Sequence, residues 1–302
     1  MSQTNVRATI IGFSAIALWG TLALLTRLTD ANIPPFQLMA MTFLIAFLLM
    51  LTKWRTEGHW GIKFLKQPKR VWSLGIVGYF GYHFCYFLAM AKAPAVQVSL
   101  LAYLWPLLIV IFSNLLPGHK LKAAHLLGAI AALVGCYLLI GTGNEAFSDN
   151  YLAGYLLALA CAFIWSSFSV ASRLVAKVPT DAAGWFCGGT ALLALICHLA
   201  WESTVWPANI TQWVGVIGLG LGPVGIAFFT WDYGVKHGNI QLLGVLAYSA
   251  PMISVLLLVL FGLAAPTWTL ALACVAIVGG SLIAGLSDRP QKRDLTNKKA
   301  AQ

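Results

Sequence analysis

The sequence predicts an all-α membrane protein of ten transmembrane helices, built as two five-helix repeats inserted upside down to each other. Three observations predict it. Of the 302 residues, 60% are hydrophobic and 9% are charged, against about 25% charged in a soluble domain, so lipid must be the main solvent. The apolar residues fall into ten runs, each near the roughly 20 residues that cross a hydrocarbon core. A set of landmarks then recurs at an offset of 144–146 residues. Trp19 and Arg27 return as Trp165 and Arg173, and Ala91-Lys92 as Val235-Lys236. Leu101 to Pro106 returns as Leu246 to Pro251, and Val134-Gly135 with Gly141 as Val278-Gly279 with Gly285. Five crossings is an odd number, so a second copy enters the bilayer from the other side. Transporters use such duplication to place a site between two rocking halves.

The first span, 6–28, is too long for the short apolar core of a signal peptide, so it reads as retained. It carries Trp19 well inside and Arg27 at its end. The second span is 35–53. The third, 71–91, holds Tyr79, Tyr82, His83 and Tyr86 at i, i+3, i+4, i+7, one face of a helix. Polar groups in a span face a cavity or the bundle interior, or they bond neighbouring helices. Gly75, Gly78 and Gly81 on the same span permit close approach and sliding.

The fourth span, 94–116, contains Ser99, Tyr103, Trp105 and Pro106, and the ninth, 239–262, has Gly244, Tyr248 and Pro251 at matching places. A proline inside a helix removes one hydrogen bond and frees the carbonyl four residues earlier, here Ala102 and Ala247. Paired interruptions in the two halves point to a transport site. The fifth span is 122–141. The sixth, 151–175, carries Trp165 with Ser166, Ser167 and Ser169, whose hydroxyls can bond a ligand or their own helix.

The seventh span, 183–201, has one G-x-x-x-G at Gly184 and Gly188, a weak dimer signal. The eighth, 211–235, is dense in glycine. Its stretch Gly220-Leu-Gly222-Pro223-Val-Gly225 matches a dinucleotide motif by accident, since no βαβ unit surrounds it. Gly78, Gly81, Pro106, Gly222, Pro223 and Pro251 are the candidate conformational positions. Asp232 is the only acid inside a span and lies four residues before Lys236, as a membrane-edge pair or a proton-coupling acid. The tenth span is 267–286. Trp201, Trp206 and Trp213 lie near span ends, as interfacial anchors do. All six cysteines lie in apolar runs with no C-x-x-C pair, the pattern of small buried hydrophobes.

The formal charge of +10 sits in short loops and a tail, so membrane topology explains it and no nucleic-acid partner is expected. With the N-terminus cytoplasmic, seventeen of the nineteen Lys and Arg fall inside, which fixes the orientation. The two exceptions, Arg27 and Lys92, are the repeat mates of Arg173 and Lys236. Inversion itself places them outside, where they cap helix ends or fasten loops. The chain divides into a first repeat, 1–145, a second, 146–288, and a basic cytoplasmic tail, 289–302.

Ten spans in two inverted repeats, with the Trp-to-Arg signature in spans one and six, resemble the EamA-type branch of the drug/metabolite transporter superfamily. Tyr103-Leu104-Trp105-Pro106 is similar to a segment of its aromatic amino-acid exporters of the YddG type, as are Trp231, Lys236-His237-Gly238-Asn239 and Tyr248. The resemblance implies a bacterial inner-membrane exporter of Phe, Tyr, Trp and other neutral amino acids, with a central cavity. The residues read on their own agree. A cavity lined by Trp19, Tyr79, Tyr82, His83, Tyr86, Tyr103, Trp105, Trp165, Ser169 and Tyr248 suits a neutral, partly aromatic solute. No Lys or Arg lies mid-membrane to hold a phosphorylated substrate. Export of aromatic or cationic drugs would use the same cavity. A membrane enzyme, the remote alternative, would need clustered carboxylates, metal ligands or a nucleophile with its base, and the spans offer only the isolated His83 and the peripheral Asp232. No cofactor or metal is expected.

Overall fold

The computed structural model describes residues 3–29, 32–118, 120–141 and 148–286. The basic tail and Glu145 lie outside them. Among the described residues, ten helices are long and apolar enough to cross a bilayer: Asn5–Leu28, Pro35–Thr56, Lys69–Lys92, Ala95–Leu115, Ala123–Ile140, Asp149–Leu174, Ala182–Trp201, Ile210–His237, Ile240–Leu260 and Trp268–Leu286. They are spans 1 to 10. Helices close their backbone hydrogen bonds internally, the requirement lipid imposes. Large aliphatic side chains such as Leu127, Leu199, Val275 and Leu282 project outward, where lipid tails solvate them.

Helix starts follow local chemistry. Asn209 and Asn239 cap spans 8 and 9, their side chains accepting from the amides of Gln212 and Leu242. Span 2 opens on Pro34-Pro35 with no side-chain cap of its own. Its free amides at Phe36 and Gln37 donate to the Glu202 carboxylate, both at 3.0 Å, which puts an anion at a helix N-terminus. His198 in turn holds Glu202 at 3.0 Å, so the end of span 7 is tied to the start of span 2.

The packing obeys the repeat. Span 1 lies against span 8, and its repeat mate, span 6, lies against span 3, the mate of span 8. Spans 2 and 7, 4 and 9, and 5 and 10 are mates that pack directly on each other. A pseudo-two-fold axis relating the halves produces this set of pairings. Small residues make the closest ones possible. A Cβ on Gly234 would stand 2.4 Å from the Gly12 Cα, and one on Gly280 would stand 2.4 Å from the Gly128 carbonyl oxygen. Gly184 and Gly188 pack on Met50 and Phe47 of span 2. That G-x-x-x-G therefore serves an intramolecular contact rather than a free dimer face.

Four irregularities of the spans fall in two symmetric pairs. Wide π-helical turns occupy Val77–Gly81 in span 3 and Gly220–Ile226 in span 8. Spans 4 and 9 break at Tyr103-Leu104 and at Ala247-Tyr248, just ahead of Pro106 and Pro251. The Ala247 carbonyl is not left free, because the Ala250 amide donates to it at 3.1 Å. The chain tightens locally to recover the bond the proline forfeits. The candidate conformational glycines also divide. A Cβ on Gly78 would strike the Phe168 ring at 2.4 Å, so spans 3 and 6 touch there, whereas Gly81 and Gly222 meet only ordinary contacts beyond 3.5 Å.

The two signature arginines are unequal. Arg173 donates through Nη1 to the carbonyls of Val235 and Gly238 at 2.9 and 2.7 Å, fastening the end of span 8. Its mate Arg27 is exposed and, among the described residues, reaches only the Leu263 carbonyl at 3.5 Å. Arg173→Ala is expected to cost about 1–3 kcal/mol by stranding those carbonyls, and Arg27→Ala about 0.5 kcal/mol or less. Thermal unfolding of both variants in detergent checks the order; equal losses would contradict it.

Candidate functional site

The symmetric irregularities surround one cluster of rings at mid-depth. Span 1 kinks at Gly20-Thr21 immediately after Trp19. Span 4 restarts at Trp105 after its break, and spans 6 and 8 contribute Trp165 and Trp231. All six pairings of these four indoles have centroids between 5.1 and 6.4 Å apart. The π-turn of span 3 brings Tyr79 and Tyr82 to the same centre. Tyr79 lies 4.6 Å from Phe228, and Tyr82 lies 5.5 Å from Trp165. His83 lies edge-on to Phe43 at 5.2 Å and to Tyr82 at 5.1 Å, and Tyr86 stacks on Tyr82 at 6.1 Å. Edge-to-face and offset pairs at these separations are the arrangements aromatic quadrupoles favour.

Hydrogen bonding divides the polar edges into engaged and open groups. Trp19 Nε1 donates to the Pro223 carbonyl at 3.0 Å, inside the π-turn of span 8. Trp231 Nε1 donates to Ser169 Oγ at 3.0 Å, a fully buried bond across spans 6 and 8. Ser166 returns its hydroxyl to Ala162 of its own helix. Tyr86 pairs with Ser99. His83 Nδ1 lies 2.7 Å from the Tyr79 carbonyl oxygen. A carbonyl only accepts, so Nδ1 carries the hydrogen and Nε2 of a neutral ring is an acceptor. No hydrogen bond is formed by the indole N–H of Trp105 or Trp165, or by the hydroxyl of Tyr82, among the described residues. None of these atoms is sealed from surface. The centre thus combines apolar walls, several open donors and one imidazole acceptor.

Two candidates lie elsewhere. Tyr248 is fully buried with Val110, Cys136 and Ile277 rather than with the tryptophans. Its hydroxyl accepts from the Leu107 amide at 3.2 Å, satisfying an orphan N–H at the restarted helix of span 4. Tyr103, at the break, packs half-buried against that second cluster. Three rings absent from the candidate set belong at the centre: Phe43, Phe228 and Trp231. Trp231 was legible, because the 144-residue offset makes it the mate of Phe87 on the aromatic third span.

The two ends of the cluster differ. The end that carries Lys53, Arg55, Lys69 and Arg70 is termed the basic end. There Asp232 and Lys236 form a buried pair at 2.8 Å, their side chains 6% and 4% exposed. Lys53 reaches Asp181 at 2.6 Å, and Trp54 Nε1 donates to the same carboxylate. Toward the opposite end, residues 81–88 of span 3 are all half-exposed. A helix with lipid on one side alone would show one exposed face, so a second open surface borders this segment. A lateral groove of about 500 Å³ runs between spans 3 and 6 on the lipid side of Phe168, lined by Arg70, Ser73, Val77 and Ser167 among others. The described residues contain no group of three His, Cys, Asp or Glu able to hold a metal.

Ten spans and symmetric helix breaks around a ring cluster shared by both halves are the architecture of a secondary transporter. The chain belongs to the EamA-like transporter family, whose profile matches residues 6–141 and 152–286, one copy in each repeat. It is 51% identical over 291 residues to the aromatic amino acid exporter YddG of Ancylobacter novellus, covering 96% of this chain and 100% of that one. It is 27% identical to the exporter of the same name from Escherichia coli, covering 95% and 99%. A solved crystal structure 50% identical in sequence superposes with a TM-score of 0.90, covering 94% of this chain and 98% of the other. The protein is a multi-pass membrane transporter and not an enzyme.

Proposed function

We propose that the protein exports aromatic and other neutral amino acids across the bacterial inner membrane by alternating access, binding them at the four-tryptophan cluster. The observation that carries this reading is the chemistry of that cluster. It offers ring faces for an aromatic side chain, open indole and phenol donors for a carboxylate, and one imidazole acceptor for an ammonium group. Trp105 and Trp165 N–H and the Tyr82 hydroxyl take the carboxylate. His83 Nε2 takes the ammonium, with cation–π support from the neighbouring rings. Trp19, Tyr79 and Tyr86 wall the side-chain pocket. Ser169 positions Trp231, while Tyr103 and Tyr248 support the break of span 4. The basic end is cytoplasmic by its Lys and Arg, with both termini on that side. The two repeats at 1–145 and 146–288 rock about the site, and the 51% identity to an aromatic amino acid exporter supports the substrate class.

The test is flux into liposomes containing the purified protein, with labelled Phe, Trp, Thr, Glu and phenethylamine, with and without a pH gradient. Saturable transport of Phe and Trp with Glu excluded is the expected result. Equal transport of phenethylamine, which lacks the carboxylate, would shift the reading to cationic drugs. His83→Leu should lower Phe transport roughly ten- to a hundredfold, the value of one hydrogen bond to a charged group at about 1.5–3 kcal/mol. Unchanged flux in His83→Leu would remove the ammonium assignment.

A further inference from the structure

We infer that Asp232, Lys236 and Thr180, with Arg173 beside them, form a latch that closes the transport path at the basic end. Because only the second repeat carries it among the described residues, the latch sets the resting conformation to open at the opposite end. This rests on the alternating-access reading above but not on the identity of the substrate.

Asp232 Oδ2 accepts from Thr180 Oγ1 at 2.7 Å and from Lys236 Nζ at 2.8 Å, and Lys236 Nζ also donates to the Val178 carbonyl at 3.0 Å. Residues 178 and 180 belong to the connection between spans 6 and 7, whereas 232 and 236 belong to span 8. The bonds therefore join the connection between spans 6 and 7 to the end of span 8 at the basic end. Arg173 closes the same junction by gripping the Val235 and Gly238 carbonyls from the end of span 6. Asp232 and Lys236 line, with Gly75, Phe168, Ser172 and Phe186, a void of about 10 Å³ where spans 3, 6, 7 and 8 converge. That is at the lower limit of room for a single water molecule, so an amino acid cannot pass.

Among the described residues, the other end lacks this closure. The repeat offset takes Lys236 to Lys92, Asp232 to Leu88 and Arg173 to Arg27. Leu88 cannot pair with a lysine, and the exposed Lys92 forms no ion pair among the described residues. Arg27 makes one long bond among the described residues, to Leu263. Two identical inverted repeats would give mirror-related conformations of equal energy, one open at each end. Differences between the repeats break that degeneracy, and a closure present in one repeat favours the state in which it is made. The half-exposed stretch 81–88 on the opposite side of the rings agrees with that state.

The experiment reads accessibility without substrate. A variant with its native cysteines replaced carries Ser172→Cys as reporter in the void, in vesicles that expose the basic end. A membrane-impermeant maleimide is added. Thr180→Val, which removes one donor and keeps the shape, and Asp232→Asn are each expected to speed labelling roughly tenfold by raising the population open at the basic end. Thr180→Ser keeps the hydroxyl and should label at the unmodified rate. Unchanged or slower labelling in both latch variants overturns the inference, as does acceleration by Thr180→Ser equal to that by Thr180→Val. Melting temperatures measured in parallel identify a variant that labels fast only because it has unfolded, and the other variant then decides. Labelling is independent of which solute is carried, so its outcome and that of the flux assay stand apart.

Discussion

Trp165→Ala should abolish amino-acid transport while the protein still inserts into the membrane. Trp165 touches more of the site than any other ring. It lies 5.7 Å from Trp19, 5.5 Å from Tyr82, 5.3 Å from Phe168 and 5.4 Å from Phe228, as well as within 6.4 Å of Tyr79, Trp105 and Trp231. Its N–H is one of the open donors assigned to the carboxylate. Truncating a buried tryptophan costs about 3–5 kcal/mol through lost contacts and the hole left behind. Here the hole would open at the centre of the substrate site, where both surrounding rings and solute depend on the wall. Trp165→Phe keeps a ring face and loses the donor, so it should retain partial flux with weaker discrimination between Phe and phenethylamine. Flux and thermal unfolding are measured on both variants. Full transport by Trp165→Ala would remove the cluster from the mechanism.

The ten spans and their pairing were legible because lipid imposes a length and a composition on every crossing, and because duplication left Trp, Arg, Lys and Pro at a fixed offset. Symmetry then determined which helices meet, since mates must face each other or exchange partners. The π-turns were not legible as such. A shift of one hydrogen-bond register has no compositional mark, although Gly78, Gly81, Gly222 and Pro223 all lie within the two turns. The glycines of span 3 suggested one sliding face. In the structure only Gly75 and Gly78 meet a neighbour closely, at Phe186 and Phe168.

The site was read best where side chains are amphipathic. Tyr79, Tyr82 and His83 stand out in an apolar run, and their one-face spacing leads to the centre. Phe43 and Phe228 were hidden, because a phenylalanine in a span looks the same whether it faces lipid or substrate. Tyr248 takes a different place. A phenol at a repeat-related break suggested cavity lining, but a broken helix leaves an amide without a partner, and the nearest hydroxyl is held by it. Asp232 was correctly paired with Lys236 from their spacing of four. Its burial and its bond to Thr180 were beyond reach, since they depend on how a connection 52 residues away folds over it.

Lys236→Met should be among the most destabilising single changes in the protein. Methionine matches the length of the lysine chain but leaves Asp232 as a buried carboxylate with only the Thr180 hydroxyl to satisfy it. Breaking a buried pair from one side costs about 3–5 kcal/mol, because the remaining charge has neither water nor counterion. Adding Asp232→Asn to Lys236→Met removes that charge, keeps an acceptor for Thr180, and should recover most of the loss. A double-mutant cycle on thermal unfolding in detergent isolates the coupling. A double variant as unstable as Lys236→Met alone would mean that the lysine acts through its packing and its bond to Val178. Recovery would mean that the ion pair contributes little net stability against a neutral pair while either charge alone is intolerable. That combination suits a closure that must open. When spans 6 and 8 separate, water reaches both charges together, so the pair exchanges its internal bonds for hydration in one step. The closed state then persists because a half-opened one strands a charge, which makes the transition between the two states all-or-none.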